Sequence, residues 1–227
     1  MYTLRAYIAL ILVFCIKTIH CILLVLAINA ICLNFNKRKP MNSPHKVLAF
    51  AASNSRNSIN KMLVLHASTR LKEKVLLNAE LSTIDLNDYV MPIYSIDLER
   101  DSGIPEEAKA FYKAIGDADS LLISYAEHNG HYSVAFKNIF DWCSRIDMKI
   151  FQNKPMVIMA TSPGPGGGAR VLKAANESAA TFGADVLGSV AIPSFYKNFD
   201  VDKGEILDAA LAQELNAHLF KLKTVKG

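Results

Sequence analysis

Three short segments of this chain gather residue types that can hold and orient a polar ligand. The first is Ser53-Asn54-Ser55-Arg56-Asn57-Ser58-Ile59-Asn60, which packs hydroxyls, amides and one guanidinium between an apolar run and a stretch of helical period. Unpaired N–H groups at a helix start carry partial positive charge, and hydroxyl donors with an arginine beside them suit a phosphate. The segment has no glycine, so it is neither a GxGxxG turn nor a Walker loop. One terminal monophosphate therefore fits it better than an extended diphosphate. A plain polar loop with a Ser or Asn helix cap has the same composition.

The second segment is Ala126-Glu127-His128-Asn129-Gly130-His131-Tyr132-Ser133. Two histidines and a glutamate are metal-ligand types, but no second cluster supplies further ligands, so no metal is expected. Such residues are otherwise surface polarity, or they frame a flat ligand with backbone groups. The third segment runs from Thr161 through Ser162-Pro163-Gly164-Pro165-Gly166-Gly167-Gly168 to Arg170. Four glycines in five positions allow positive φ and close backbone approach to a ligand, or else a flexible turn.

These segments must be positioned by the elements around them. From Lys46 onward, short apolar runs alternate with stretches of helical period, the order of βαβ units in a parallel sheet covered on both faces. The expected strands are Val47–Ala52, Glu80–Leu86, Leu121–Tyr125, Pro155–Ala160 and Ala184–Ile192. Helical stripes follow at Ile59–Leu71, after Pro105, at Ala135–Ile146, through Leu172 and Ala179, and from Ile206 to Leu222. Asn87–Gly103 reads as a loop. The reading is one doubly wound α/β domain with a five-stranded parallel sheet. In such sheets ligands lie beyond the carboxyl ends of the strands, where strand order reverses. The three polar segments follow the first, third and fourth expected strands.

Charge and hydropathy divide the chain. It carries 25 Lys and Arg against 21 Asp and Glu; five of the basic residues lie in 1–40, which holds no acid, leaving the rest at net −1. A near-neutral domain offers no electrostatic footing for a nucleic-acid partner. Three of the four cysteines sit in the apolar N-terminal segment, so Cys143 has no disulfide partner in the domain, which suits a reducing compartment. Residues 1–40 admit three readings. Tyr7–Leu33 is long enough to span a membrane, with Lys17 near its middle and Lys37-Arg38-Lys39 holding the following domain in the cytoplasm. A cleaved signal peptide fits worse, because the basic cluster follows the apolar run. Alternatively Met41 is the start, and 1–40 is upstream sequence. The domain boundary is placed at 41–227, with a membrane partner only if 1–40 is an anchor.

Taken together, the three segments resemble the NADPH-dependent FMN reductase family of the flavodoxin-like superfamily, over essentially all of Lys46–Lys223. Ser53 through Asn60 is similar to the family's phosphate loop. Glu127-His128-Asn129-Gly130, followed by Phe136-Lys137-Asn138-Ile139-Phe140-Asp141-Trp142-Cys143-Ser144-Arg145, matches the pattern Pro-Glu-Tyr-Asn and then Leu-Lys-Asn-x-x-Asp-Trp-x-Ser-Arg. Ser162-Pro163-Gly164 is similar to the third flavin loop. Ala126 and His128 stand where the family usually has Pro and Tyr, and the spacing from Arg56 to Ser58 is one residue shorter than in many members.

The resemblance implies an α/β flavodoxin-like doubly wound three-layer sandwich, its five-stranded parallel sheet in the order 2-1-3-4-5, and an FMN site. Ser53, Ser55, Arg56, Ser58, Ile59 and Asn60 would hold the phosphate; Glu127, His128, Asn129 and Gly130, with Ser162, Pro163 and Gly164, would border the isoalloxazine. It implies NADPH or NADH as electron donor and a quinone, azo compound, metal oxyanion or free flavin as small-molecule acceptor. No side chain need act as a base in this chemistry, so none is named as catalytic. A cytoplasmic homodimer or homotetramer is implied as well. The rival reading is a flavodoxin-like carrier reduced by a protein partner, against which the near-neutral charge argues. A chain that has lost its cofactor is the third.

Overall fold

A computed structural model describes residues 43–224. The expectations for 1–40 lie outside the described residues. The central sheet contains β1 (His45–Ala52), β2 (Ala79–Thr83), β3 (Ser120–Tyr125), β6 (Lys154–Thr161) and β7 (Ala184–Ile192). All neighbours are parallel, and the order is β2-β1-β3-β6-β7. Counting only the strands of this sheet, that is the expected 2-1-3-4-5.

The strands read as continuous apolar runs because both faces are covered. On β1, Leu48, Phe50 and Ala52 pack into one core, while Val47 and Ala49 pack into the other. The first core joins the sheet to α3 (Glu106–Asp117), α4 (Val134–Ile146) and α5 (Ala169–Ala179). The second joins it to α1 (Ile59–Lys74) and α7 (Ala209–Lys221). The reversal falls between β1 and β3, whose carboxyl ends support the cleft described below.

Local chemistry moved several boundaries. The second strand stops at Thr83 rather than Leu86. The Asp85 side chain accepts from the Asn87 N–H at 3.0 Å and starts a 3-10 turn, Leu86–Asp88, that buries Leu86 in the first core. The expected loop Asn87–Gly103 contains α2 (Ile96–Ser102), capped by Ser95, whose hydroxyl accepts from the Leu98 N–H. No α2 residue is fully buried, which is why its apolar stripe is too thin to see in the sequence. The closing helix begins at Ala209, where Asp208 caps it. Ile206 instead belongs to β9 (Glu205–Ile206), which pairs with β8 (Phe199–Asp200).

The motif on α4 ties down the long segment after β2. The Asn138 side chain accepts from the Tyr94 N–H at 2.9 Å and donates to the Pro92 carbonyl at 3.0 Å. Buried Trp142 donates its indole N–H to the same carbonyl at 2.8 Å, and its ring meets Tyr94 edge-on. Arg145 reaches Glu99 on α2 at 2.9 Å. The motif's polar residues therefore fix a segment that has little apolar burial of its own.

Candidate active site

At the carboxyl ends of β1, β3 and β6 the three polar segments meet around a cleft of ≈ 250 Å³. Ser53, Ser55, Ser58, Ile59 and Asn60 line it from the first loop, Glu127 and His128 from the second, and Ser162 and Pro163 from the third. Four expected site residues, Arg56, Asn129, Gly130 and Gly164, lie outside this lining. A larger hollow of ≈ 410 Å³ lies elsewhere, between α1 and the β8–β9 hairpin, away from these loops.

The first loop folds as a helix entry. Ser58 is extended at the N-cap of α1, and its hydroxyl oxygen accepts from the Lys61 N–H at 3.2 Å. The Ser53 hydroxyl accepts from the Ser55 N–H at 3.2 Å. Both oxygens act as acceptors, so their O–H donors remain for a ligand. The first-turn N–H groups of Ile59 and Asn60 have no acceptor among the described residues. Ile59 itself packs its side chain against the second core, leaving its backbone as its polar contribution. Asn54, Ser55, Arg56 and Asn57 are exposed at the tip. Such a donor-rich cradle suits a phosphate.

Asn60 is deployed differently. Its side chain is buried, donates to the Thr161 carbonyl at 3.2 Å, and accepts from the Thr161 N–H at 3.1 Å and the Ser124 hydroxyl at 2.8 Å. Thr161 in turn donates to the Ile192 carbonyl at 2.7 Å. A polar chain thus crosses the ends of β3, β6 and β7 beneath the cleft. One amide hydrogen of Asn60 remains for a ligand.

The second segment is a hairpin. β4 (Glu127–His128) pairs with β5 (His131–Tyr132), so that the two histidines face each other. Asn129 and Gly130 form its turn with φ of 53° and 83°, the two-residue geometry that Asn-Gly favours. The same dipeptide signals the hairpin in the sequence. Ser133, buried behind it, donates to the Ala52 carbonyl at 2.8 Å and caps α4.

The glycine-rich segment is held rather than slack. The Gly164 carbonyl accepts from the Ser194 N–H at 2.8 Å, and the Ser162 carbonyl accepts from the Phe195 N–H at 3.0 Å. A Cβ on Gly167 would lie 2.8 Å from the Pro193 nitrogen, and one on Gly168 would lie 2.7 Å from the Ala160 Cβ. These two glycines, both at positive φ, serve close packing on the ends of β6 and β7. A Cβ on Gly164 would meet nothing within 4 Å, so that backbone borders open space.

The cleft also includes Tyr196, which was not anticipated, on the short α6 (Phe195–Asn198) after β7. The two hydrogen bonds from Ser194 and Phe195 bring that loop over. Asn57, Ala126 and Thr161 complete the lining. Cys143 takes no part: it is buried in the first core, and burial pushes its thiol up to about 12.

This fold and this cleft define a flavodoxin-like α/β protein with a donor-rich turn and two backbone-bordered turns at one end of the sheet. Residues 45–197 match the model of the NADPH-dependent FMN reductase family. The chain belongs to that family, and it is an FMN-dependent NAD(P)H oxidoreductase. A 2-hydroxy-1,4-benzoquinone reductase of Burkholderia sp is 36% identical over 120 residues, covering 52% of this chain and 61% of that relative. A quinone reductase of Escherichia coli (strain K12) is 26% identical over 184 residues, covering 79% of this chain and 94% of the relative. In fold, the chain is similar to the flavoenzyme NAD(P)H:(acceptor) oxidoreductase of Paracoccus denitrificans. That structure has a TM-score of 0.60 at 23% identity, covering 79% of this chain and 95% of the other.

Proposed function

We propose that this protein reduces a quinone at the expense of NAD(P)H, holding FMN in the cleft between the three loops. The observation that carries the reading is the division of labour among those loops. One offers unspent hydroxyl and N–H donors at a helix start, and the other two close the same cleft with Glu127, His128, Ser162 and Pro163. Bound there, FMN would supply the two-electron hydride chemistry by which NAD(P)H, a proton and a quinone become NAD(P)+ and a quinol. Ser53, Ser55, Ser58 and the first turn of α1 hold the phosphate. Arg56, exposed at the tip, lends it a screened positive charge. Glu127 to Gly130 and Ser162 to Gly164 orient the ring through backbone groups. His128 and Tyr196 border the mouth, where a nicotinamide or acceptor ring would stack.

The protein acts as a homo-oligomer on this reading. Val90, Ile93 and Ile96 are exposed on the segment that α4 pins, and Val134 is exposed at the start of α4. Ile93 and Val134 line one surface hollow, and exposed apolar side chains gathered in this way favour a subunit interface. Cys143, the one cysteine among the described residues, is buried and free, which is consistent with a cytoplasmic setting. Among the described residues no helix is long and apolar enough to cross a membrane.

An absorbance spectrum of the purified full chain tests the function. Yellow protein bleached anaerobically by NADPH or NADH, its colour restored by benzoquinone, is the expected result. Colourless protein that takes up no added FMN sinks the proposal, and sedimentation as a monomer sinks the assembly.

A further inference from the structure

Glu127 lines the cleft, and its side chain also reaches the start of α5. Its Oε2 accepts from the N–H groups of Arg170 at 3.0 Å and Val171 at 3.1 Å, in the first turn of α5. That helix has no cap of its own: Gly168 stands at its N-cap without a side chain, and no acid lies in its first turn. By contrast α1, α4 and α7 are capped by Ser58, Ser133 and Asp208 at their own N-cap positions. The cap of α5 comes from a residue 43 positions earlier in the chain. A second contact joins the same two places. The Arg170 Cδ lies 3.4 Å from where a Cβ on Gly130 would stand, so the arginine stem packs against the hairpin turn.

We propose that Glu127 is a positioning residue that clamps one flavin-bordering turn to the other. The hairpin 127–132 borders one edge of the gap, and α5 begins where the glycine-rich loop ends. A carboxylate bridging them sets the width of the gap before any ligand arrives, and preorganisation of this kind raises affinity without a new ligand contact. The same carboxylate also sets the local charge. It sits on the positive end of α5 and offsets the helix dipole. Removing its charge therefore exposes that positive end and makes electron uptake by nearby FMN easier. Both consequences of losing the charge raise the flavin midpoint potential, so the sign does not depend on which dominates. This inference rests on the FMN site proposed above.

Three variants of the full chain separate geometry from charge. Glu127→Ala loses both. Glu127→Gln keeps an oxygen acceptor and loses the charge. Glu127→Asp keeps the charge but is one methylene too short to reach. Amide hydrogen exchange without FMN reads the clamp itself. Exchange at Arg170 and Val171 should speed up about five- to tenfold in the Ala and Asp variants and stay near wild type in the Gln variant, as a lost cap implies. The FMN dissociation constant should rise about tenfold in the Ala and Asp variants, with Gln restoring affinity. The midpoint potential should rise in the Gln and Ala variants. Unchanged exchange and affinity in Glu127→Ala would overturn the clamp, and an unchanged potential in Glu127→Gln would overturn the charge effect. Wild-type protein that binds no FMN, with exchange still faster in Glu127→Ala, would overturn the functional reading and the flavin half of this inference, leaving only the cap.

Discussion

The turn at 53–58 and the turns at 127–130 and 162–168 border one cleft, yet they commit their polar groups in opposite ways. In the first, hydroxyl hydrogens and helix-start N–H groups remain unspent, and the tip is exposed. In the other two, carbonyls and a carboxylate are engaged with neighbouring backbone at Ser194, Phe195, Arg170 and Val171. A phosphate contributes charge-assisted hydrogen bonds and tolerates some mobility in its cradle. A ring that must exchange electrons with a stacked partner needs fixed walls. The difference places affinity largely in the first turn and geometry in the other two. Asn60 is the link between them, since it leaves α1 and grips Ser124 and Thr161 at the ends of β3 and β6.

The sharpest way to break this comparison is to strip the first turn. Ser55→Ala with Ser58→Ala removes two hydroxyl donors and the cap of α1. The FMN dissociation constant should rise by about a hundredfold or more, since a hydrogen bond to a charged group contributes about 1.5–3 kcal/mol. The potential of whatever FMN remains bound should hold steady, because the ring's surroundings are untouched. Fluorescence titration with FMN checks the first claim and redox titration the second. A double variant that binds FMN as tightly as wild type would place the phosphate elsewhere.

Cutting the link comes next in size. Asn60→Ala leaves the Ser124 hydroxyl and the Thr161 N–H buried without their acceptor. Unpaired buried donors cost about 1–3 kcal/mol each, so unfolding stability should fall by about 2–6 kcal/mol. Asn60→Asp keeps the acceptor for both donors but sets a buried carboxylate oxygen against the Thr161 carbonyl, so its stability should fall as well. It should also bind FMN poorly, because it sets a carboxylate beside the phosphate. Urea unfolding of the FMN-free proteins, set against FMN titration, separates the two effects. If the Ala variant is as stable as wild type, the polar chain under the cleft does not hold the loops together.

The sequence carries the strands in plain form, because strands buried on both faces are apolar throughout, as in Val47–Ala52 and Met156–Ala160, whereas their order comes only with the family resemblance. It also carries the three loops, because chemistry concentrated between a strand and a helix has few structural uses. The assignment of polar groups within those loops is hidden. Nothing local to Asn60 says that its amide reaches Thr161, which lies 101 residues away. Glu127 gives no local sign that it serves a helix beginning at Ala169. Tyr196 enters the cleft only because Ser194 and Phe195 bond to the glycine-rich loop. The β4–β5 hairpin reads as a plain loop although Asn129-Gly130 is a hairpin signal, and α2 leaves no signal because it buries no residue fully.

The smallest expected effect concerns the far side of α1, which gives the cleft a control region. There His66 donates its Nδ1–H to the Gly204 carbonyl at 2.8 Å and meets the Phe199 ring edge-on. Burial holds its pKa below the ordinary 6.5, an effect the Gly204 bond only partly offsets. Burial lowers the pKa of His218 on α7 in the same direction. For a histidine depressed in the folded state, the unfolded chain takes up the proton first as pH falls. The native state is therefore favoured above the ordinary histidine pKa and loses that advantage below it. Solvent screening at these partly open sites keeps the effect small, so the melting temperature of the FMN-free protein should drop by about 1–2 °C between about pH 7.5 and 5.5. His66→Gln, whose amide can still donate to Gly204 and does not titrate, should remove part of that drop. FMN affinity should be unchanged in the same variant, because His66 lines the larger hollow and not the cleft. A His66→Gln protein with weakened FMN binding would show that the two sides of α1 are coupled, and the separation drawn between cleft and scaffold would fail there.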